Sequence, residues 1–235
     1  MQFSIKLARM KLTMMLAGAA LIAVSASAGA ASLLYRNDYN LGTDYLGNAI
    51  SASSYSVTTT SSDLSAFTLS SFDVVVYANQ NTSVPGGDLA RLNLYVSGGG
   101  RVIFNDWTGN AFGGASVTGN SNLGTLTVGA QFNAGIAGPL AVINPGWGTF
   151  SLGLAGGTTA GTFENGDSAI VIGNSGRTIY NGFLSDTVAS ERLYANELAS
   201  FSAAAPVPEP ETYAMLLAGL GLMGFIGRRR KQQTA

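Results

Sequence analysis

The sequence predicts an α/β domain, a mostly parallel sheet with helices on both faces, followed by a single apolar helix near the end of the chain. Three observations point there. Phe72–Ala78 (FDVVVYA) is apolar almost throughout, as in a strand covered on both faces. Leu89, Leu92, Tyr95 and Val96 form one stripe at helical spacing, stopped by Gly98-Gly99-Gly100. Arg101-Val102-Ile103-Phe104 then supplies another apolar strand, so strand, helix and strand alternate as in a doubly wound sheet, with the helices on its faces.

The elements follow in order. Ser32–Arg36 reads as a short strand running into Asn37-Asp38, and Leu41, Tyr45, Leu46, Ala49 and Ile50 recur at helical spacing. Ser56–Thr60 is rich in β-branched residues and reads as a strand. Asn79-Gln80-Asn81 is a polar loop after the clearest strand, and Pro85-Gly86-Gly87-Asp88 opens the next helix. Between residues 111 and 162 the chain is Gly-rich; Leu126–Val128 and Ala141–Ile143 are short strand-like runs, broken by Asn144-Pro145-Gly146-Trp147-Gly148. Ser168–Ile172, a turn at Gly173–Gly176, and Arg177–Phe183 form a hairpin. Glu191–Phe201 is a last helix, with Leu193, Tyr194, Leu198 and Phe201 on its buried side. The Gly/Ser/Thr-rich middle leaves an all-β sandwich as the alternative.

The two ends differ from this middle. Lys6, Arg9 and Lys11 precede an apolar run, Leu12–Val24, and small residues, Ser25–Ala30. That order marks residues 1–30 as a signal peptide, with cleavage expected after Ala28 or Ala30. The exported α/β domain is expected over 31–203 and a Pro-rich linker over 204–212. A short transmembrane helix is expected over 213–227 and a basic cytoplasmic tail over 228–235. Tyr213–Gly227 holds fifteen uncharged residues, a helix of roughly 22 Å, against a hydrocarbon core of about 30 Å. Arg228, Arg229, Arg230 and Lys231 form a basic stop that holds such a span at the cytoplasmic face.

Charge and composition exclude several functions. Residues 31–206 carry five arginines, no lysine and eleven acids, net −6, so nucleic acid is not an expected partner. There is no cysteine and no histidine. Thiolate catalysis, Ser-His-Asp and Cys-His arrangements and His/Cys zinc sites are thereby excluded. No cofactor and no metal site are expected; "ENGDS" at 164–168 has oxygen ligands but not the spacing of an EF-hand loop.

Leu33–Asp106, through "FDVVVYANQN" and "LARLNLYVSGGGRVIFNDW", resembles the class I glutamine amidotransferase-like fold in its ThuA-type branch, a flavodoxin-like sheet. "GDSAIVIGNSGRTIYNGFLSD" and "ERLYANELASF" are similar to that family's closing hairpin and helix. The resemblance implies a nucleophilic Cys after the strand at Arg101–Phe104. Asn105-Asp106-Trp107 stands there instead, so the resemblance extends to the fold and not to amidotransferase chemistry.

"VPEPETYAMLLAGLGLMGFIGRRRK", from Val207 to Lys231, resembles a PEP-CTERM sorting signal: Pro208, Glu209 and Pro210, one short apolar helix, then arginines. The resemblance implies an exosortase as processing partner, after signal peptidase and the secretion machinery. It also implies a bacterium that makes exopolysaccharide. The chain would be transiently anchored in the inner membrane, then placed at the cell surface, in the biofilm matrix or in the medium. On this reading the protein is non-catalytic.

Ligands of open α/β sheets gather beyond the carboxyl ends of the strands. Those ends carry Asn37, Asp38, Asn79, Asn105, Asp106 and Trp107, a set suited to hydrogen-bonding and stacking on a sugar. The same Asn and Asp residues are also those that turns and caps use. A secreted hydrolase using paired carboxylates is the alternative function; it needs Asp38 and Asp106, with Glu164 or Asp167, within about 5–10 Å of one another.

Overall fold

The computed structural model describes residues 30–202, except Trp107 and Ser121. The signal-peptide segment up to residue 29, the linker, the apolar helix and the basic tail expected from 203 onward lie outside the described residues, as do Pro208, Glu209, Pro210 and Arg228–Lys231.

Five strands form the parallel half of one sheet. They are β1 (Ser32–Asn37), β2 (Ser56–Thr60), β3 (Val74–Asn79), β4 (Arg101–Asp106) and β11 (Thr178–Asn181), in the order β2-β1-β3-β4-β11. The other half is antiparallel. β10 (Ser168–Gly173) pairs β11, and beyond it lie β9 (Thr158–Phe163), β6 (Thr125–Val128) and β7 (Leu140–Ala141). β5 (Ala115–Asn120) and β8 (Phe150–Leu154) pair with each other and branch from β10. The α/β expectation holds, with the parallel pairing confined to the half that contains the helical connections. The Gly-rich middle supplies β5 to β9, with the expected run at Leu126–Val128 found in β6 and that at Ala141–Ile143 reduced to β7, while the expected hairpin supplies β10 against β11.

The helices are α1 (Tyr45–Ser51), α2 (Asp88–Ser97) and α3 (Glu191–Ser202), with one further helical turn at Pro145–Gly148. Their presence removes the all-β sandwich. α1 starts four residues later than Leu41, which is 66% exposed and outside the helix; Asp44 caps it by accepting from the Gly47 N–H at 2.9 Å. α2 stops as a Schellman turn: Gly100 N–H donates to Tyr95 O, Gly99 N–H donates to Val96 O, and Gly99 takes φ +100°.

Side chains alternate across each strand and so build two cores. Leu33, Val74, Val76, Ile103 and Ile179 face α1 and α3, together with Leu46, Ile50, Leu193, Tyr194, Leu198 and Phe201. Leu34, Val75, Tyr77, Phe104 and Tyr180 face α2, with Leu92, Tyr95 and Val96. β2 is the outer strand on its side of the sheet, and its residues are mostly exposed. Tyr55, just before β2, meets the last turn of α3 through its hydroxyl and Ser202 Oγ, 3.1 Å apart.

Candidate functional site

The strand-end residues do lie at one end of the sheet, but the pleat divides them. Ile103 and Phe104 belong to opposite cores, so Asn105 follows Ile103 to the α3 face and Asp106 follows Phe104 to the α2 face. By the same alternation Asn37 lies on the α1 and α3 side, and Asn79 on the α2 side. They form three hydrogen-bonded groups rather than one surface.

On the α2 face Asp106 is 1% exposed and accepts five hydrogen bonds. Oδ1 takes Asn79 Nδ2 (2.8 Å), Thr108 N–H (3.0 Å) and Thr108 Oγ1 (2.8 Å); Oδ2 takes Asn110 N–H and Nδ2, both at 2.7 Å. Its lone pairs hold the loop that leaves β4. Arg36, also buried, donates from Nη1 to Ala78 O (3.1 Å) and Asn79 Oδ1 (2.9 Å), lies 3.6 Å from Asp38 Oδ1, and stacks over the Tyr77 ring at 4.7 Å. Asp38 accepts from Gln80 N–H (2.7 Å) and from Thr82 Oγ1 (2.8 Å). Burial, eased by the Arg36 charge, pushes the Tyr77 hydroxyl upward, so it stays a proton donor to Asp88 Oδ2 at 2.9 Å.

At the end of β1, Asn37 Nδ2 donates to Tyr35 Oη (2.8 Å), Asn40 Oδ1 (2.9 Å) and Asp44 Oδ2 (3.1 Å). Gln80 closes this group: its Nε2 reaches Tyr39 O, Asn40 Oδ1 and Ser185 Oγ, and its Oε1 accepts from Ser185 N–H. A shallow cleft of about 660 Å³ opens here, lined by Tyr35, Asn37, Asp38, Asp44 and Thr60 among others.

The third group is Asn105, Asn181 and Glu197, all without exposed surface. Asn105 and Asn181 are register partners on adjacent strands, and Asn181 Nδ2 donates to Glu197 Oε2 at 3.1 Å. Asn105 Nδ2 donates to Phe183 O at 2.9 Å. Asn105 Oδ1, Asn181 Oδ1 and Glu197 Oε1 are buried without a partner. Loss of hydration pushes the Glu197 carboxyl up to about 8, so it is largely protonated at neutral pH.

The other candidates resolve simply. Glu164 accepts from the Gly124 and Thr125 N–H groups, both at 2.7 Å, which holds its carboxyl below the usual range. Asp167 Oδ2 accepts from Ser151 Oγ and Asn165 Nδ2; Gly166 takes φ +88°, and "ENGDS" is the tight turn between β9 and β10. Trp107 lies outside the described residues, and the Trp147 side chain is likewise not described.

A second cleft, also about 660 Å³, lies at the opposite, amino end of β3 and β4, between the segment Phe67–Asp73 and the end of α2; Arg91 and Arg101 line it. Sequence reasoning did not look there, because the strand-end rule points the other way. It also passed over Glu197, although an acid one residue before Leu198 sits on the stripe of Leu193, Tyr194 and Phe201; that spacing was the available signal.

Residues 206–231 match the PEP-CTERM protein-sorting motif. No curated protein matches the chain. Among solved structures, the fold is similar to a ThuA-like protein from Bacteroides uniformis (9% identity, TM-score 0.52, 78% of this chain and 96% of that one). It is also similar to a glutamine amidotransferase from Thermotoga maritima (13% identity, TM-score 0.51, 74% and 83%). Alpha-L-fucosidase isoenzyme 2 from Paenibacillus thiaminolyticus matches at 13% identity and TM-score 0.50 over 77% of this chain, which spans 33% of that one. At these identities the likeness is one of fold. The expected α/β class is therefore found, with an amidotransferase and a ThuA-like protein among its structural neighbours, and the motif marks an exported protein handled by exosortase.

Proposed function

We propose that this exported, exosortase-sorted protein is a non-catalytic component of the cell surface or extracellular matrix that associates with exopolysaccharide. The supporting observation is the state of the strand-end carboxylates. Asp106 is buried and accepts five hydrogen bonds, and Asp38 is held by Arg36, Gln80 and Thr82. A general acid or nucleophile must reach a glycosidic bond; the Asp106 oxygens are turned inward to backbone, amide and hydroxyl donors, and those of Asp38, on the cleft wall, are engaged by Arg36, Gln80 and Thr82. β3 also lies between β1 and β4, putting the two strands about 9–10 Å apart, at the far limit for a carboxylate pair. The absence of Cys and His from the sequence removes the amidotransferase route.

The reading is tested by incubating the exported protein with matrix polysaccharide from the producing cells, then measuring retention and new reducing ends together. Retention without new reducing ends is expected. Protein left wholly in the supernatant would overturn the matrix association. Reducing ends that vanish in Asp106→Asn would favour the hydrolase instead.

A further inference from the structure

We propose that the cleft at the amino ends of β3 and β4 binds an acidic sugar, a hexuronate unit of a polysaccharide, through Arg91 and Arg101. The proposal rests on the exopolysaccharide association above and names its site and ligand chemistry.

The cleft holds about 660 Å³, as much as the one at the carboxyl ends, but its polar groups are in a different state. At the carboxyl ends the side chains consume one another. Here two of the five arginines of an acidic domain line one opening. Among the described residues the ion pair within 4 Å is Arg36–Asp38, and neither Arg91 nor Arg101 takes part in it. Arg91 is exposed and Arg101 half-buried. Two acids stand near. Asp73 lines the cleft and brings a negative charge to it, with Oδ2 directed to Ser32 N–H (2.7 Å) and Ser32 Oγ (2.9 Å) rather than to either guanidinium. Asp63 lies close enough to feel the Arg91 charge, yet its Oδ1 is taken by Ser65.

The wall also carries apolar surface, with Thr68 and Ser70 beside it. Phe67 and Phe72 are half-buried, their rings edge to face 6.4 Å apart, and Leu94 is 75% exposed beside them. Tyr95 is pinned by its hydroxyl, which donates to Phe72 O at 2.9 Å, and burial pushes that hydroxyl up to about 12. Beside Tyr95 the rim is Gly98-Gly99-Gly100, which raises no side chain; a Cβ at Gly100 would lie 2.4 Å from the Tyr95 ring. Guanidinium groups match a carboxylate in planar, paired hydrogen bonds. Aromatic and aliphatic surface matches the C–H face of a pyranose. A hexuronate presents both on one ring, whereas a neutral sugar leaves the arginines unused and a bare phosphate leaves the apolar wall unused. Attraction between the arginines and a carboxylate on solvent-exposed surface is screened by salt.

The test measures binding of the exported protein to polygalacturonate and to dextran. Variants are Arg91→Glu, Arg101→Glu and Ser70→Trp, which fills the cleft and keeps both arginines. Arg192→Glu makes the same charge change on exposed surface of α3. Expected are binding to polygalacturonate that weakens with salt, little binding to dextran, and a loss of about tenfold or more in the three cleft variants, the size of one lost charge-assisted hydrogen bond. Arg192→Glu is expected to bind as wild type. Unchanged binding in the cleft variants, or equal loss in Arg192→Glu, would overturn the site while leaving polysaccharide association standing. Retention on the producing cells' matrix with none on polygalacturonate would overturn the acidic-sugar assignment alone. Retention on neither would sink the association itself.

Discussion

Asn181 Nδ2 donates to Glu197 Oε2 at 3.1 Å across the β11–α3 interface, while Asn181 Oδ1 and Glu197 Oε1 lie buried beside that bond with no partner. A carboxyl in such a place is more stable with its proton. In the unfolded chain Glu197 titrates near 4.5; in the fold, desolvation raises it to about 8. Above pH 4.5 the unfolded chain releases this proton and the folded one keeps it. The stability tied to the group is therefore complete below about 4.5 and is lost as pH rises towards 8. Urea unfolding from pH 4 to 9 is expected to show a fall on the order of 4 kcal/mol. Glu197→Gln should flatten that slope and be the more stable protein at pH 9; an identical pH profile would show that the group is not buried as described.

Asp106 is expected to behave as a structural residue. Asp106→Ala strands the donors of Asn79, Thr108 and Asn110, and a loss of about 3 kcal/mol or more is expected in denaturant unfolding. Asp106→Asn keeps the shape and some of the accepted bonds, and should lose less. If both unfold like wild type, the loop after β4 does not depend on this carboxylate.

Gly99 takes φ +100° at the end of α2, where a side chain is strained. Gly99→Ala is expected to cost about 1 kcal/mol in thermal or chemical unfolding. Because Gly99 is also on the rim of the amino-end cleft, the same variant should lower polygalacturonate binding modestly.

The tail prediction concerns mass. Protein recovered from the medium is expected to end upstream of Gln233-Thr234-Ala235. Glu209→Ala should accumulate as full-length chain in the membrane fraction. An intact C-terminus on the released wild type would count against processing.

Much of the parallel half was legible because its strands are buried on both faces, so Val74–Ala78 and Val102–Phe104 read as unbroken apolar runs. Of the antiparallel half, the β10–β11 hairpin and the run at Leu126–Val128 were legible and the remaining pairings were not. Thr125–Val128 and Thr158–Phe163 have one face covered or little side chain to cover, and they pair with each other across more than 30 positions. Leu41 misled because it keeps helical spacing with Tyr45 while Asp44 begins the helix after it. At the strand ends, residue types were readable and directions were not. Asn105 and Asp106 are adjacent in sequence, and a one-residue step on a pleated strand sends them to opposite layers. Arg91 and Arg101 gave no motif at all. Their meeting in one cleft depends on the helix turning back at Gly98–Gly100.

The hydroxyl contact between Tyr55 and Ser202 fixes where the domain lets go of its own chain. Ser32 opens β1, Tyr55 stands just ahead of β2, and Ser202 is fastened beside it, so the polypeptide enters and departs at the same pole of the sheet. Asp38, Asn79 and Asp106 stand at the opposite pole, so a ligand held there would not meet either end of the described domain.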